Sequence, residues 1–458
     1  MSIKRITHQV LESSTVHGLS NIISNDSKLI RILWLISLIA ASSVCAFVIY
    51  DNISQYFEFE VISKIEVKFS TQMVFPMITI CRPNPFVTQF SEELLSDIIY
   101  RDGFKPFDYN LNSSVSNFKL KFFSKKNYAL LNAANFSENV KKQFGNQLED
   151  ILLSCLYNFQ VCDIDKDFDE YYDYFYGNCY TFNGKKVIKG IREPIKLSPQ
   201  GGLLNGLQLE FFVGAASENN KFFSSENGLT LFIHNHTDLP HTTTGVKISA
   251  GLSTYVVLDR YTTTKIPKPY SSCTDNLTTI DSYDSELYKK MIELNRTYTQ
   301  TNCRYLCYQK FLGQKCGCQL ISYKYFSNMT TCLSLNFTNC QIESMHQFVE
   351  KKMAENCDCP LECSKTYYNY MYSFNDYPSR YYANILAKHK SIKLKFPKNK
   401  TEITYEDLKP RIAALNVFYD ELKETFITQE KKMNFIDLVS GIGGIIGLFL
   451  GRFFIIIS

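Results

Sequence analysis

The sequence predicts a membrane protein in which two transmembrane helices flank a large, oxidised, strand-rich domain outside the cell. Apolar stretches lie at opposite ends of its 458 residues, from Leu29 to Tyr50 and from Phe435 to Ile457. Fourteen of the fifteen cysteines fall between them, and so do most of the Asn-X-Ser/Thr triplets.

The first stretch is free of charge from Ile32 to Tyr50. As a helix rising about 1.5 Å per residue it reaches about 28 Å, enough for a hydrocarbon core of about 30 Å. Lys4, Arg5, Lys28 and Arg31 precede it, while Asp51, Glu58 and Glu60 follow. The positive-inside rule therefore puts the N-terminus in the cytoplasm. A cleaved signal peptide is the alternative, but the run begins far from the N-terminus and no small-residue cleavage site follows it. The expected order is a cytoplasmic segment 1–28, transmembrane helix 29–50, extracellular domain 51–434 and second transmembrane helix 435–458.

Triplets headed by Asn112, Asn135, Asn235, Asn276, Asn295, Asn328, Asn336 and Asn399 all lie in the expected exterior and are candidate glycosylation sites. Asn25 heads another on the cytoplasmic side, where it should stay bare. The formal charge is +4, with acidic and basic residues alternating and no long basic block, so no nucleic-acid partner is expected. The exterior is long enough for several subdomains, and no internal repeat or Pro/Gly/Ser linker interrupts it. Its many Tyr and Phe residues suit strands packed through aromatic layers.

Outside the membrane the cysteines are even in number: Cys81, Cys155, Cys162, Cys179, Cys273, Cys303, Cys307, Cys316, Cys318, Cys332, Cys340, Cys357, Cys359 and Cys363. In an oxidising compartment they suit a disulfide framework. A zinc site is the rival, since Cys316-X-Cys318 and Cys357-X-Cys359 look like ligand pairs, yet the companion two-residue spacing is missing. Cys45, within the first span, is an apolar thiol with no assigned role. Cys303 and Cys307 are four apart and share a helix face, while alternate cysteines of Cys357-Asp-Cys-Pro-Leu-Glu-Cys363 point one way if extended. A ladder of bridges stapling helices to a strand is expected.

Six motifs occur in order: His17-Gly18, FPMITICRPNPF from Phe75, YGNCYTFN from Tyr176, GGLLNGLQLE from Gly201, CDCPLECSKTYY from Cys357 and SGIGGIIGLFLG from Ser440. Together they resemble the degenerin, epithelial sodium channel and acid-sensing ion channel superfamily of amiloride-sensitive sodium channels, with the first half similar to peptide-gated invertebrate members. The resemblance implies a homo- or heterotrimer, hence two further channel subunits as partners. Each subunit would carry an α+β ectodomain of palm, knuckle, finger, thumb and β-ball, with the finger at about 90–180, the thumb at about 270–365 and palm strands between and after. It also implies the pairs Cys81 with Cys179, Cys155 with Cys162, Cys273 with Cys363, Cys303 with Cys359, Cys307 with Cys357, Cys316 with Cys340 and Cys318 with Cys332. Function would be passage of Na+ across the plasma membrane, opened by an extracellular peptide or proton. No cofactor or metal is implied.

Gating residues follow from the same resemblance. His17 and Gly18 match a cytoplasmic gating motif. Tyr56 and Tyr270 match a pair of aromatics that stack where thumb meets membrane helices. Ser440 matches a site where bulky residues hold relatives open. Gly441, Gly443, Gly444 and Gly447 suit close approach of helices around an axis.

The acidic run from Asp163 to Asp173 offers a candidate ligand site at Asp165, Asp167, Asp169, Glu170 and Asp173. Carboxylates and tyrosines there suit a peptide ending in Arg-Phe-amide, or protons if crowding raises their pKa. A solvated loop is the bland alternative. His234 and His236 alternate along an expected strand, where a solvated face is favoured over a metal pair. No phosphate loop, nucleophile elbow or HExxH helix occurs, so an enzyme is not expected. An ATP-gated two-span channel is disfavoured because its lysine-centred nucleotide site has no counterpart.

The last residues depart from the family pattern. Where relatives place a Gly-X-Ser filter, this sequence reads Gly451-Arg452-Phe453, and the second helix is then truncated at Ser458. Arg452 near a pore axis would repel cations. Either the end replaces a true filter, the favoured explanation, or the chain is a non-conducting surface receptor or regulatory subunit that modifies complete partners.

Overall fold

The computed structural model describes residues 16, 18–101, 126, 129–130, 132–133, 136–184, 187–188, 191–214, 226, 228–236, 245–293, 297–320, 329–332 and 335–451. They fall into two compact units: one from Met1–Ile65, Thr264–Cys273 and Ile427–Ser458, the other from Glu66–Thr263 and Thr274–Phe426.

In the first unit, helix α1 spans Lys28–Phe57 and continues well past the apolar stretch that ends at Tyr50. Gln55 Nε2 donates to Asp51 Oδ2 at 2.8 Å one turn earlier, extending the helix through polar residues. It stops because Phe59 adopts a left-handed φ of 52°. Among the described residues only α1 is long and apolar enough to cross a membrane, and Cys45 is buried on it. The shorter apolar helix here named α8, Phe435–Leu450, begins at a capping box in which Asn434 Oδ1 accepts from the Asp437 N–H at 2.9 Å and Asp437 Oδ2 from the Asn434 N–H at 3.0 Å. It ends at Gly451, whose φ of 101° a side chain would strain. Arg452, Phe453 and the rest of the expected span to 458 lie outside the described residues.

Two sheets dominate the rest. The strands are β1 (Val61–Phe69), β2 (Met77–Cys81), β3 (Leu152–Tyr157), β4 (Gln160–Val161), β5 (Phe168–Asp173), β6 (Gly177–Phe182), β7 (Leu207–Phe212), β8 (Leu229–His234), β9 (Val246–Ile248), β10 (Leu252–Thr264), β11 (Ser364–Asp376) and β12 (Ile412–Lys431). A seven-stranded sheet runs β11-β10-β12-β7-β3-β4, with β1 on β12, and a five-stranded sheet runs β9-β8-β2-β6-β5. β7 alternates buried and half-buried residues, the period-two pattern of a strand with one face on the core. β6 lies between two neighbours and is buried throughout.

Between these strands an aromatic cluster fills the core of the second unit. The Phe75 ring meets Tyr157 at 5.1 Å, Phe182 at 6.2 Å and Tyr419 at 6.2 Å, all edge-on. Such pairs add to simple burial.

The disulfides follow from the same geometry. Cys81 and Cys179 face each other in the β2–β6 register and are bonded. Cys155 and Cys162 close the β3–β4 hairpin. Helices α4 (Glu286–Glu293), α5 (Gln300–Cys316) and α6 (Leu335–Glu350) form a further cluster. The Thr299 side chain caps α5 by accepting from the Asn302 N–H at 3.2 Å, and Gly317 ends it at a left-handed φ of 70°. On one face of α5, Cys303 bonds Cys359 and Cys307 bonds Cys357. At its end Cys316 bonds Cys340 on α6, and Cys318 bonds Cys332. Cys273 and Cys363 each take part in a disulfide as well.

Candidate functional site

The site is built where α1 ends, entirely from residues of the first unit. After Phe57 the chain turns: the Glu58 N–H donates to Ser54 O at 3.1 Å and the Phe59 N–H to Tyr56 O at 3.4 Å. That turn swings Phe59 onto Tyr270, whose rings meet edge-on at 5.4 Å between centroids. Tyr56 lies 6.4 Å from Phe59, and Phe57 6.2 Å. The ring found against Tyr270 is that of Phe59, next to the expected Tyr56, which packs on Phe59 in turn. The sequence carried the signal in its Tyr-Phe-X-Phe run, but only the left-handed turn selects the second phenylalanine.

Tyr270 is held from its own side. Its N–H donates to Pro267 O at 3.2 Å, the Ser271 hydroxyl donates to Ile266 O at 2.6 Å, and the Ile266 N–H donates to Gln429 Oε1 at 3.3 Å. Lys431 Nζ sits 5.1 Å from the centre of the Tyr270 ring, a cation–π contact. Next to it Lys432 pairs with the Glu60 carboxylate, and its N–H donates to Glu60 O at 3.0 Å. Bonding to Glu60 pushes the Lys432 ammonium above its usual range. The start of α8 and the end of α1 are thus tied through Glu60, Lys431, Lys432 and Tyr270.

Further along, an added Cβ on Gly441 would stand 2.6 Å from Asn52 Nδ2 of α1, so the glycine permits close helix contact. Beside Gly443, Gly444 and Gly447 it would meet nothing within 4 Å. Ser440 is exposed on α8. At the His-Gly motif before α1, Gly18 has φ 84°, which favours glycine, and an added Cβ would lie 3.0 Å from the Trp34 ring, a tight contact. His17 lies outside the described residues.

The acidic run is not a loop. It forms the short helix α3 (Ile164–Asp167) and then edge strand β5, because apolar and aromatic residues alternate with the acids and Phe168 is buried. Asp167 pairs with Lys196 at 2.8 Å and Glu170 with Lys142 at 2.9 Å. Asp173 Oδ1 accepts the N–H groups of Phe175 at 2.8 Å and Tyr176 at 3.0 Å. Asp169 packs on Gly184, and Asp165 is exposed. Most of the carboxylates that suggested a ligand site already hold partners of their own chain.

His234 and His236 do not converge: His234 Nε2 lies 2.8 Å from Thr79 Oγ1, while His236 Nε2 lies 3.1 Å from Asn183 O. Among the described residues no group of three or more potential metal ligands forms. Of the glycosylation candidates, Asn276 and Asn399 are exposed, Asn235 is half-buried and Asn336 begins α6. Asn112, Asn135, Asn295 and Asn328 lie outside the described residues.

Comparison with known proteins adds the family. The model described as amiloride-sensitive sodium channel matches residues 10–455. Acid-sensing ion channel 1 of Gallus gallus is 27% identical over 457 residues, covering 96% of this chain and 80% of that protein. Acid-sensing ion channel 2 of Homo sapiens is 25% identical, covering 96% and 82%. The bile acid-sensitive ion channel of Rattus norvegicus is 24% identical over 465 residues, covering 98% and 85%. A solved proton-activated chloride channel aligns over 91% of this chain and 92% of its own at a TM-score of 0.33 and 8% identity, a likeness too slight to bear on the fold.

Proposed function

This chain belongs to the amiloride-sensitive sodium channel family, and on that premise we propose that it is a subunit of a sodium channel in the plasma membrane, opened by a chemical stimulus on an extracellular domain formed by residues 51–434. α1 and α8 cross the bilayer with the N-terminus in the cytoplasm, as the basic residues before α1 favour. Two further subunits complete the pore, and the open sides of Gly443, Gly444 and Gly447 leave room for their helices.

The observation that carries this reading is the contact of Phe59 with Tyr270. Movement of the loop holding Tyr270 pulls or releases the end of α1, and α1 packs on α8 where Asn52 faces Gly441. A proton is the favoured stimulus. Relatives named as acid-sensing support it, whereas a cationic peptide at the acidic run would have to displace Lys196 and Lys142. Acid steps on cells expressing the Tyr270→Ala variant together with a complete family member test the coupling. Normal surface delivery with a lost or blunted contribution to the current is expected; an unaltered response overturns it.

A second reading is a subunit that does not conduct alone, favoured by Gly451-Arg452-Phe453 in place of the filter triplet. Arg452 from several subunits around one axis would repel Na+. Replacement of Arg452 and Phe453 so as to restore Gly-X-Ser should then yield current where the chain as written gives none. Current from the unaltered chain alone excludes this reading.

A further inference from the structure

A cleft of about 490 Å³ opens in the second unit, remote in sequence from every gating residue, and three cations line it: Arg82, Lys395 and Arg411. The size falls in the range of small-molecule sites, about 300–1,000 Å³. Against the three cations stands one lining carboxylate, Asp150, whose Oδ2 accepts the Gln147 N–H at 3.3 Å to cap a helical turn.

Arg82 is the unusual member. Its guanidinium donates to Asn146 Oδ1 and to Val213 O, both neutral acceptors, and no carboxylate pairs with it among the described residues. Burial draws its pKa down to about 10. A half-buried cation with no paired carboxylate is costly, and a guanidinium fork with five N–H donors has some to spare here. Lys395 Nζ reaches Asp150 O at 2.5 Å, and Arg411 lies 5.3 Å from the centre of the Phe396 ring while donating to Asp407 O at 2.6 Å. Apolar side chains share the lining with these cations: Phe396 meets Phe212 edge-on at 5.9 Å, and Leu394 is 75% exposed at the rim.

We propose that this cleft binds a small amphipathic organic anion, its carboxylate among Arg82, Lys395 and Arg411 and its apolar body against Phe212, Phe396 and Leu394. Phe212, Phe396 and Leu394 in the lining favour a ligand with an apolar body over a bare inorganic ion, and the cations argue against a neutral ligand. A forked guanidinium suits a carboxylate through paired, charge-assisted hydrogen bonds. The site stands apart from the gating reading and does not require the chain to conduct.

The test is titration calorimetry on the purified full chain in detergent with 4-phenylbutyrate, its neutral amide and inorganic phosphate as probes. The carboxylate is expected to bind at least about tenfold more tightly than the amide, and more weakly as salt is raised. Lys395→Gln, at the half-buried edge of the cleft, should weaken the carboxylate about fivefold, and Lys395→Arg should restore it. Arg82→Gln should abolish binding. Because Arg82 also holds Asn146 and Val213, that variant counts only with an unchanged melting temperature, and Lys395→Gln carries the test. Absence of carboxylate binding, equal binding of the amide, phosphate binding as tight as the carboxylate, or indifference to Lys395→Gln would each overturn the proposal.

Discussion

The two units of this chain are held together by different means. In the second, Phe75, Tyr157, Phe182 and Tyr419 pack edge to face in one core, and disulfides such as Cys81–Cys179 and Cys303–Cys359 tie neighbouring elements. In the first, the end of α1 rests on a few small contacts: Phe59 on Tyr270, Lys431 over the Tyr270 ring, Glu60 bonded to Lys432 and Asn52 at Gly441. Redundant packing resists rearrangement, whereas single contacts of about 1 kcal/mol are of the size that biases a two-state switch. On the proposed gating reading, the difference puts rigidity in one unit and responsiveness in the other.

The comparison is most exposed to failure at Phe75. Its ring is fully buried against three others, so Phe75→Ala should cost about 3–5 kcal/mol and remove folded protein from the cell surface. Surface biotinylation at the wild-type level would show the second unit to be less tightly determined than its packing suggests.

A smaller effect is expected at Asp407, also in the second unit. The bond from Lys400, with the Thr404 N–H beside it, lowers its pKa from 3.8 to about 2. A lowered carboxyl pKa contributes stability that is full above the unfolded value and is lost as pH falls through the folded one. Asp407→Asn should therefore cost about 1 kcal/mol at neutral pH, the bond being largely screened by solvent, and nothing below about pH 2. Melting curves across that range check it. The titration lies far on the acid side, so the variant should leave the pH of half-activation unchanged, and a shift would make Asp407 part of the sensor.

In the first unit the balance reverses. Tyr270→Ala forfeits about 0.5–1.5 kcal/mol of ring contact, too little to unfold the protein, yet the response to acid should be lost or blunted. Tyr270→Trp, which keeps an edge for Phe59, should restore it. A normal melting temperature beside a lost response would sharpen the contrast between the units.

Least of all is expected from Glu60→Gln. Both partners are about half exposed, and such pairs are screened by salt. Because the Lys432 pKa is raised, the contribution is full below the ordinary lysine range and is lost only as pH rises through the raised value. Acid steps leave Lys432 charged, so the variant should alter activation slightly and only at low salt. A large effect would mean that the ion pair, rather than the aromatic contact, carries the coupling.

Much of the architecture was legible because it depends on local pattern. The charge-free run to Tyr50 announces α1, and its length alone sets whether it can span. Cys303 and Cys307 at one helical turn lie on one face of α5 and bond Cys359 and Cys357, as helix geometry allows. The acidic run was less legible. Its composition suggested a solvated loop or a ligand site, whereas Lys196 and Lys142 come from distant sequence to pair with Asp167 and Glu170. Long-range ion pairs leave no periodicity to read.

Sequence by itself determined the apolar helix, the disulfide-rich body and the family, since each rests on residue type and spacing along the chain. Tertiary structure alone decided that Phe59 rather than Tyr56 meets Tyr270, because one left-handed residue rotates the chain after the helix. It also decided that Arg82, Lys395 and Arg411 share a cleft. Arg82 lies more than 300 residues from Lys395 and Arg411 along the chain, so only folding brings it beside them, and the repulsion among the three charges exists only once the fold has closed.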